Sequence, residues 1–335
     1  VEIPRSFERM NWHDAMDRFG SDKPERRFGM ELTDLSDLFA KSGFKVFANT
    51  VKSGGVVKAI NAKGFAGITT GQVDKLTEIA VNHGARGLAY IQVRGEAPST
   101  WRSPITKFFS EEELAGLKEA LSIEEGDLIL FAADEWESAC EILGRIRLEV
   151  AAMQNLLEGK EDVLDFLWVT EFPLLAFDAE ADRWCAVHHP FTRPVDEDRA
   201  KLEAGEYEGL RAQAYDVVLN GYELGGGSIR IHERDLQHAM FTALGISDEQ
   251  ANEEFAHILE AFQFGAPPHG GIALGLDRIV MLVAGEHSIR EVIAFPKNNK
   301  GMDLMTSSPA PAEPNQLRDL RIKSTAKDPK GSQPA

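Results

Sequence analysis

The densest concentration of reactive side chains falls in residues 214–230, AYDVVLNGYELGGGSIR. Asn220-Gly221 between two β-rich runs predicts a two-residue hairpin turn, whose central residues need positive φ. That turn pairs Leu219 with Tyr222, Val218 with Glu223 and Val217 with Leu224. Side chains alternate faces along a strand, so Asp216 shares a face with Val218. Asp216 is then the diagonal neighbour of Glu223, roughly 7 Å away. Two carboxylates so close repel unless a cation lies between them, and Mg²⁺ carrying nucleotide phosphates is the natural one. The competing reading is a solvated sheet face with two unrelated acids. Gly225, Gly226 and Gly227 weaken a strand interior, so they mark either a plain bulge or room for a flat ligand such as a nucleotide or adenylate. Strict alternation puts Arg230 on the face opposite Glu223. A one-residue bulge at the glycines would return it to the same face, where its guanidinium could grip a carboxylate. Otherwise Arg230 is a surface arginine.

Two further segments carry chemistry. His188-His189-Pro190-Phe191-Thr192 holds adjacent histidines. On a strand they point to opposite faces, and no further Cys or spaced His completes a metal site. A polar or cationic contact to an anionic ligand fits them better, against the plain alternative of a core or surface pair. Near the end, Ile272–Leu276 reads as a glycine-bounded strand that feeds an apolar helix. Asp277 is the expected N-cap, which puts Arg278 in the first turn. Free N–H groups, the helix dipole and the guanidinium together favour phosphate there. The chain contains no P-loop, no G-x-S-x-G and no zinc signature.

The elements that must position these residues read as follows. Residues 1–35 are polar and turn-rich, with Gly20-Ser21-Asp22-Lys23-Pro24 as a loop. Residues 36–145 form a compact α+β unit. Its strand candidates are Lys45–Ala48, Val56–Ala59, Leu88–Val93 and Asp127–Ala132, and its helical stretches are Thr70–His83 and Ser110–Leu121. Ser110 with Glu113 is a capping-box start. Asp134–Leu157 reads as a long amphipathic helix, with Ile142, Ile146, Val150 and Met153 on one face. From Phe166 the pattern changes to strands with tight turns, including Leu167–Thr170 and Tyr215–Leu219. Residues 146–323 are expected to form one domain, and 324–335 a polar, disordered tail.

With 335 residues and 43% apolar content, the chain is long enough for two domains, or one with an insertion. A formal charge of -18 argues against a generic nucleic-acid binder, although a local basic strip stays compatible with it. Cys140 and Cys185 allow no disulfide framework, which suits a reducing cytoplasm. The apolar run Ile279–Ala284 is too short to span a membrane. The start at Val1, without a signal-peptide core, suggests that the chain begins inside a longer protein.

Taken in order and spacing, three stretches resemble the bacterial-type aspartyl-tRNA synthetases. They are His188–Thr192, then Tyr215-Asp216 through Glu223 to Arg230, then Gly275-Leu276-Asp277-Arg278. The last is similar to motif 3 of class II aminoacyl-tRNA synthetases. The loop at residues 20–24 and Ile293-Ala294-Phe295-Pro296-Lys297 also look bacterial. The unit at 36–145 is similar to the extra domain those enzymes insert between motifs 2 and 3, which also occurs in an amidotransferase subunit.

The resemblance implies an α+β fold: an antiparallel sheet flanked by helices, not a Rossmann fold, with an inserted α+β domain. It implies ATP-dependent activation of L-aspartate and transfer to tRNA(Asp), by a cytoplasmic enzyme that is a homodimer when full length. His188 and Arg230 would contact the aspartate, with Arg230 on its side-chain carboxylate. Asp216 and Glu223 would hold ATP-bound Mg²⁺. Gly275, Leu276, Asp277 and Arg278 would line the ATP site, and His189, Gly226 and Ser228 the cleft. No protein nucleophile is expected. An anticodon-binding domain and motifs 1 and 2 are not found, since Arg5-Ser6-Phe7-Glu8 does not fit F-R-x-E. The isolated chain is therefore expected to be inactive. Three other readings remain: a non-discriminating enzyme that also charges tRNA(Asn), a tRNA-independent aspartate ligase, and a non-catalytic tRNA-binding module.

Overall fold

The computed structural model describes residues 3–325; the chain start at Val1 and residues 326–335 of the tail expected at 324–335 lie outside them. In chain order the strands are β1 Glu8–Asn11, β2 Thr33–Asp34, β3 Val56–Ala62, β4 Ala89–Gln92, β5 Leu128–Asp134, β6 Phe166–Thr170, β7 Leu175–Asp178, β8 Arg183–Ala186, β9 Ala214–Leu219, β10 Tyr222–Ile229 and β11 Gly270–Leu274. The helices are α1 Trp12–Phe19, α2 Ser36–Phe39, α3 Lys45–Lys52, α4 Thr70–Asn82, α5 Glu111–Ala120, α6 Trp136–Met153, α7 Arg199–Ala204, α8 Arg234–Ala243, α9 Asp248–Gln263, α10 Leu276–Val283 and α11 Pro314–Asp319. The chain divides into two compact units, Val1–Gly275 and Leu276–Ala335.

Two larger sheets organise the first unit. One has strand order β1-β6-β9-β10-β11. It is antiparallel except for β1, which runs parallel to β6. Its packed face begins apolar, with Leu167 and Val169 on β6 and Val218 on β9, and buries Met10, Ala15 and Phe19 against them. Moving across the registered rows, Leu167–Val218 leads to Glu223, and Val169–Asp216 leads to Gly226. The same face therefore turns acidic toward β10, and it does so without a break in the strand alternation of β9.

The second sheet has order β2-β3-β5-β4, all antiparallel. Both its faces are covered, which explains the near-continuous apolar runs in β3 and β5. Ile60, Ala62, Leu128 and Leu130 pack with α4 and α6. Val57, Ala59, Ile129 and Phe131 pack with Phe39, Phe47 and Leu117 on the other side. The capping box of Ser110 and Glu113 forms as expected at the start of α5.

Two expectations are corrected here. Lys45–Ala48 is not a strand but the start of α3. Phe44, Phe47 and Val51 recur at helical spacing, and Phe47 packs edge-on against Phe44, 4.8 Å away, and Phe39, 5.2 Å away. A strand would turn alternate residues of this cluster to solvent. The long helix is also shorter at both ends than 134–157, because β5 runs on to Asp134 and the chain turns at Asn155 with φ 53°. Ile142, Ile146 and Val150 do bury one face of it.

The second unit holds α10 and α11. Met281 is buried, whereas Leu276 and Val283 are exposed. Among the described residues, no helix is long and apolar enough to cross a membrane.

Candidate active site

The hairpin β9–β10 turns at Asn220-Gly221, with φ of 52° and 81°. These left-handed values at both positions are the geometry that the Asn-Gly pair favours. Leu219 faces Tyr222 and Val218 faces Glu223, as expected. The next pair is corrected: Val217 faces Gly225, not Leu224, because a bulge lies between Glu223 and Gly225. The bulge thus comes at Leu224, just before the glycines. A single extra residue flips every later side chain. Gly226 now opposes Asp216 and Ser228 opposes Ala214, so Arg230 shares the face of Glu223 by strand alternation.

The glycines answer to specific neighbours. A Cβ on Gly226 would lie 1.9 Å from Oδ1 of Asp216, so the carboxylate rests over this residue. On the other face, Cβ atoms on Gly225 and Gly227 would lie 2.1 Å and 1.8 Å from the carbonyl oxygens of Ala273 and Gly271 in β11. The room that the glycines leave is taken up by the acid on one side and a neighbouring backbone on the other.

Asp216, Glu223 and Arg230 line one hollow of about 1590 Å³, together with Gly226 and Ser228. His188 and His189 line it as well. The segment after them runs beside the end of β10. Arg193 N–H donates to Ile229 O at 2.9 Å, and Ile231 N–H to Phe191 O at 2.9 Å. Thr192 and Ser228, both buried, approach to 3.4 Å through their hydroxyls. Buried Gln237 fixes the turn by donating to Pro190 O at 2.9 Å. The ring of His188 stands edge-on to Phe172, with centroids 4.8 Å apart.

Both histidines are biased toward the neutral form. Burial lowers the His188 pKa, and the charges of Asp22 and Glu223 oppose that shift. For His189, burial acts first and the positive charge of Arg230 adds to it. A neutral imidazole carries one N–H donor and one acceptor, and in His189 the acceptor Nδ1 is already taken by Phe191 N–H at 3.2 Å, which leaves Nε2–H as its donor. Among the described residues, no group of three or more His, Cys, Asp or Glu side chains could hold a metal ion. Asp216 and Glu223 are a pair, which suits a Mg²⁺ that takes its remaining ligands from phosphate and water.

Residues 1–299 match the family model of class II tRNA synthetases (D, K and N). The chain belongs to this family. An aspartate–tRNA(Asp/Asn) ligase of Opitutus terrae is 53% identical over 96% of this chain and 54% of its own length. An aspartate–tRNA ligase of Geobacillus kaustophilus is 51% identical over 96% and 54%. An aspartate–tRNA(Asp/Asn) ligase of Bacillus anthracis is 51% identical over 98% and 55%. The chain spans about half the length of the curated relatives it matches.

In this class II synthetase chain the hollow also admits Ser21, Asp22 and Lys23. Sequence alone gives them no role, because a Gly-Ser-Asp-Lys-Pro stretch reads as a surface loop. The available signal was a lysine next to an acid in that loop; the two pair at 2.8 Å. Gly275 ends the first unit and donates its N–H to Leu224 O at 2.7 Å. Leu276, Asp277 and Arg278 form the first turn of α10 in the second unit. Asp277 is thus inside the helix, not its N-cap, and the strand before it ends at Leu274. With glycine at 275 the helix starts two residues earlier than expected, at Leu276, and the acid still favours the positive end of the dipole.

Proposed function

We propose that this chain supplies part of the aspartate-activating site of an ATP-dependent aspartate–tRNA ligase, whose substrates are L-aspartate, ATP and tRNA(Asp). One observation carries the reading: two carboxylates and a guanidinium share one face of one hairpin around one hollow. Arg230 pairs with the side-chain carboxylate of the substrate. Asparagine offers no charge there and would leave the guanidinium unpaired, which is a strong basis for rejection. His188 donates its N–H to the substrate, and His189, Gly226 and Ser228 shape the cleft.

Asp216 and Glu223 hold the Mg²⁺ that accompanies ATP; bound there, it supplies charge neutralisation to the phosphates. Leu276, Asp277 and Arg278 offer first-turn N–H groups and the Arg278 guanidinium to the nucleotide, and Gly275, whose own N–H is held by Leu224 O, lines the site without a side chain. The substrate α-carboxylate attacks the α-phosphorus, and pyrophosphate leaves. The terminal ribose hydroxyl of tRNA then attacks the activated carbonyl, and AMP leaves. Neither step needs a protein nucleophile, so orientation and charge placement supply the rate.

The relatives named for both tRNA(Asp) and tRNA(Asn) favour a second reading, in which the full-length enzyme also charges tRNA(Asn). Aspartate-dependent ATP–pyrophosphate exchange by the full-length protein, a homodimer in this reading, tests the activity. Charging of purified tRNA(Asp) and tRNA(Asn) then separates the two forms. Exchange driven by asparagine or lysine but not aspartate would overturn the proposal. Residues 1–335 alone are expected to show no exchange.

A further inference from the structure

Arg147 is the largest fully buried side chain among the described residues, at 1% exposure, and the chemistry above makes no use of it. It projects from α6 into the base of the loop that carries Ser21, Asp22 and Lys23. Its partners there are backbone carbonyls. Nε donates to Met30 O at 2.9 Å, and one terminal nitrogen donates to Glu25 O at 2.7 Å and Gly29 O at 2.6 Å. The guanidinium also lies over the rings of Phe19 and Phe28, whose centroids are 5.1 Å and 4.2 Å from its carbon. Burial pulls its pKa down to about 10, and the charges of Glu25 and Glu31 oppose this.

The backbone it grips is strained. Gly29 and Met30 are consecutive left-handed residues, with φ of 66° and 57°. That conformation is unfavourable for methionine and needs support from outside the segment. The other end of the loop is fixed by the same helix. A Cβ on Gly144 would lie 2.2 Å from Gly20 O, so α6 and the chain touch backbone to backbone. Residues 21–23 therefore hang between two anchors on α6, at Gly20 and at Glu25. α6 is itself part of the core of the four-stranded sheet.

We propose that Arg147 is a positioning residue for the amino-acid end of the cleft: through it, α6 sets Asp22 and Lys23 against His188. The layout makes the four-stranded-sheet unit a determinant of amino-acid affinity, although none of that sheet's strands enters the hollow. The inference rests on the function proposed above.

The test is Arg147→Met and Arg147→Lys in the full-length protein, read by pyrophosphate exchange and by amide hydrogen exchange. Misplacing an orienting group by an ångström costs one to two orders of magnitude, so Arg147→Met should raise KM for aspartate by about tenfold or more. KM for ATP should stay within about threefold, because only the loop is released. Amides of residues 21–31 should exchange faster by about tenfold or more. Arg147→Lys, which keeps the charge but loses the planar fork, should fall between the two. An aspartate KM within about twofold of the unaltered enzyme in folded Arg147→Met overturns the inference. If that variant does not fold, the same result in Arg147→Lys does so. Absence of aspartate-dependent exchange in the unaltered protein defeats the functional reading instead. Amide exchange then decides the anchoring by itself, and an unchanged rate across 21–31 would sink it.

Discussion

The carboxylate of Asp216 lies over Gly226, its partner across the hairpin, so closely that a Cβ there would meet Oδ1 at 1.9 Å. Gly226→Ala must turn the carboxylate away, yet the clashing atom is the end of a side chain that can move. The expected stability loss is about 1 kcal/mol. Pyrophosphate exchange should fall by about tenfold or more, since the acid no longer aims into the hollow. Gly227→Ala meets a backbone carbonyl at 1.8 Å and should cost about 3 kcal/mol, because β11 cannot step aside cheaply. Denaturant melts of the two variants check the order; equal losses would contradict it.

Arg230 is predicted to carry discrimination as well as affinity. Arg230→Ala should weaken aspartate activation by about 3 kcal/mol or more, as for loss of a buried charge partner. A loss under about 0.5 kcal/mol in kcat/KM would remove it from the pocket.

Lys58 on β3 is fully buried and donates to Oδ1 of Asp17 at 2.6 Å, which ties the second sheet to α1. Partial burial pushes the Asp17 carboxyl up. Hydrogen bonds from Lys58 and Trp136, with the charges of Lys58 and His13, outweigh it and leave the pKa below the ordinary value. Asp17→Asn leaves a buried ammonium with no counter-charge, held by the backbone carbonyl of residue 17 at 3.0 Å, and should cost about 3 kcal/mol, whereas Lys58→Met should cost under about 1.5 kcal/mol. Because the folded pKa is lowered, the stabilisation is present above the ordinary aspartate value, about 3.9, and fades as pH falls through the folded one. Urea melts from pH 7 to pH 3 should therefore show Asp17→Asn converging on the unaltered protein only at the acid end.

His188 should titrate below the usual histidine value of about 6.5 in NMR spectra of labelled protein. Asp22 opposes that shift, so Asp22→Asn should lower the pKa further. A rise would show that the loop does not face this imidazole. For a histidine held neutral in the fold, stability is lost as pH drops from the unfolded pKa toward the folded one, the opposite sense to a paired histidine.

Local chemistry determined what sequence alone could establish. Asn220-Gly221 specifies its turn, hence the pairing of Val218 with Glu223 and the shared face of Asp216 and Glu223. The capping box at Ser110 and the buried stripe of α6 are equally local. Three features were decided only by tertiary structure. The bulge settled at Leu224, where β10 must match β9 and the β11 backbone at once. Residues 45–48 became helix because the aromatic cluster against Phe131 rewards helical spacing over alternation. The loop at 20–24 enters the hollow because Gly144 and Arg147, more than a hundred residues onward, hold its ends. Turns and caps are fixed by neighbours within a few residues. Strand register beyond a bulge, and the aim of a loop, depend on groups that only the fold brings into contact.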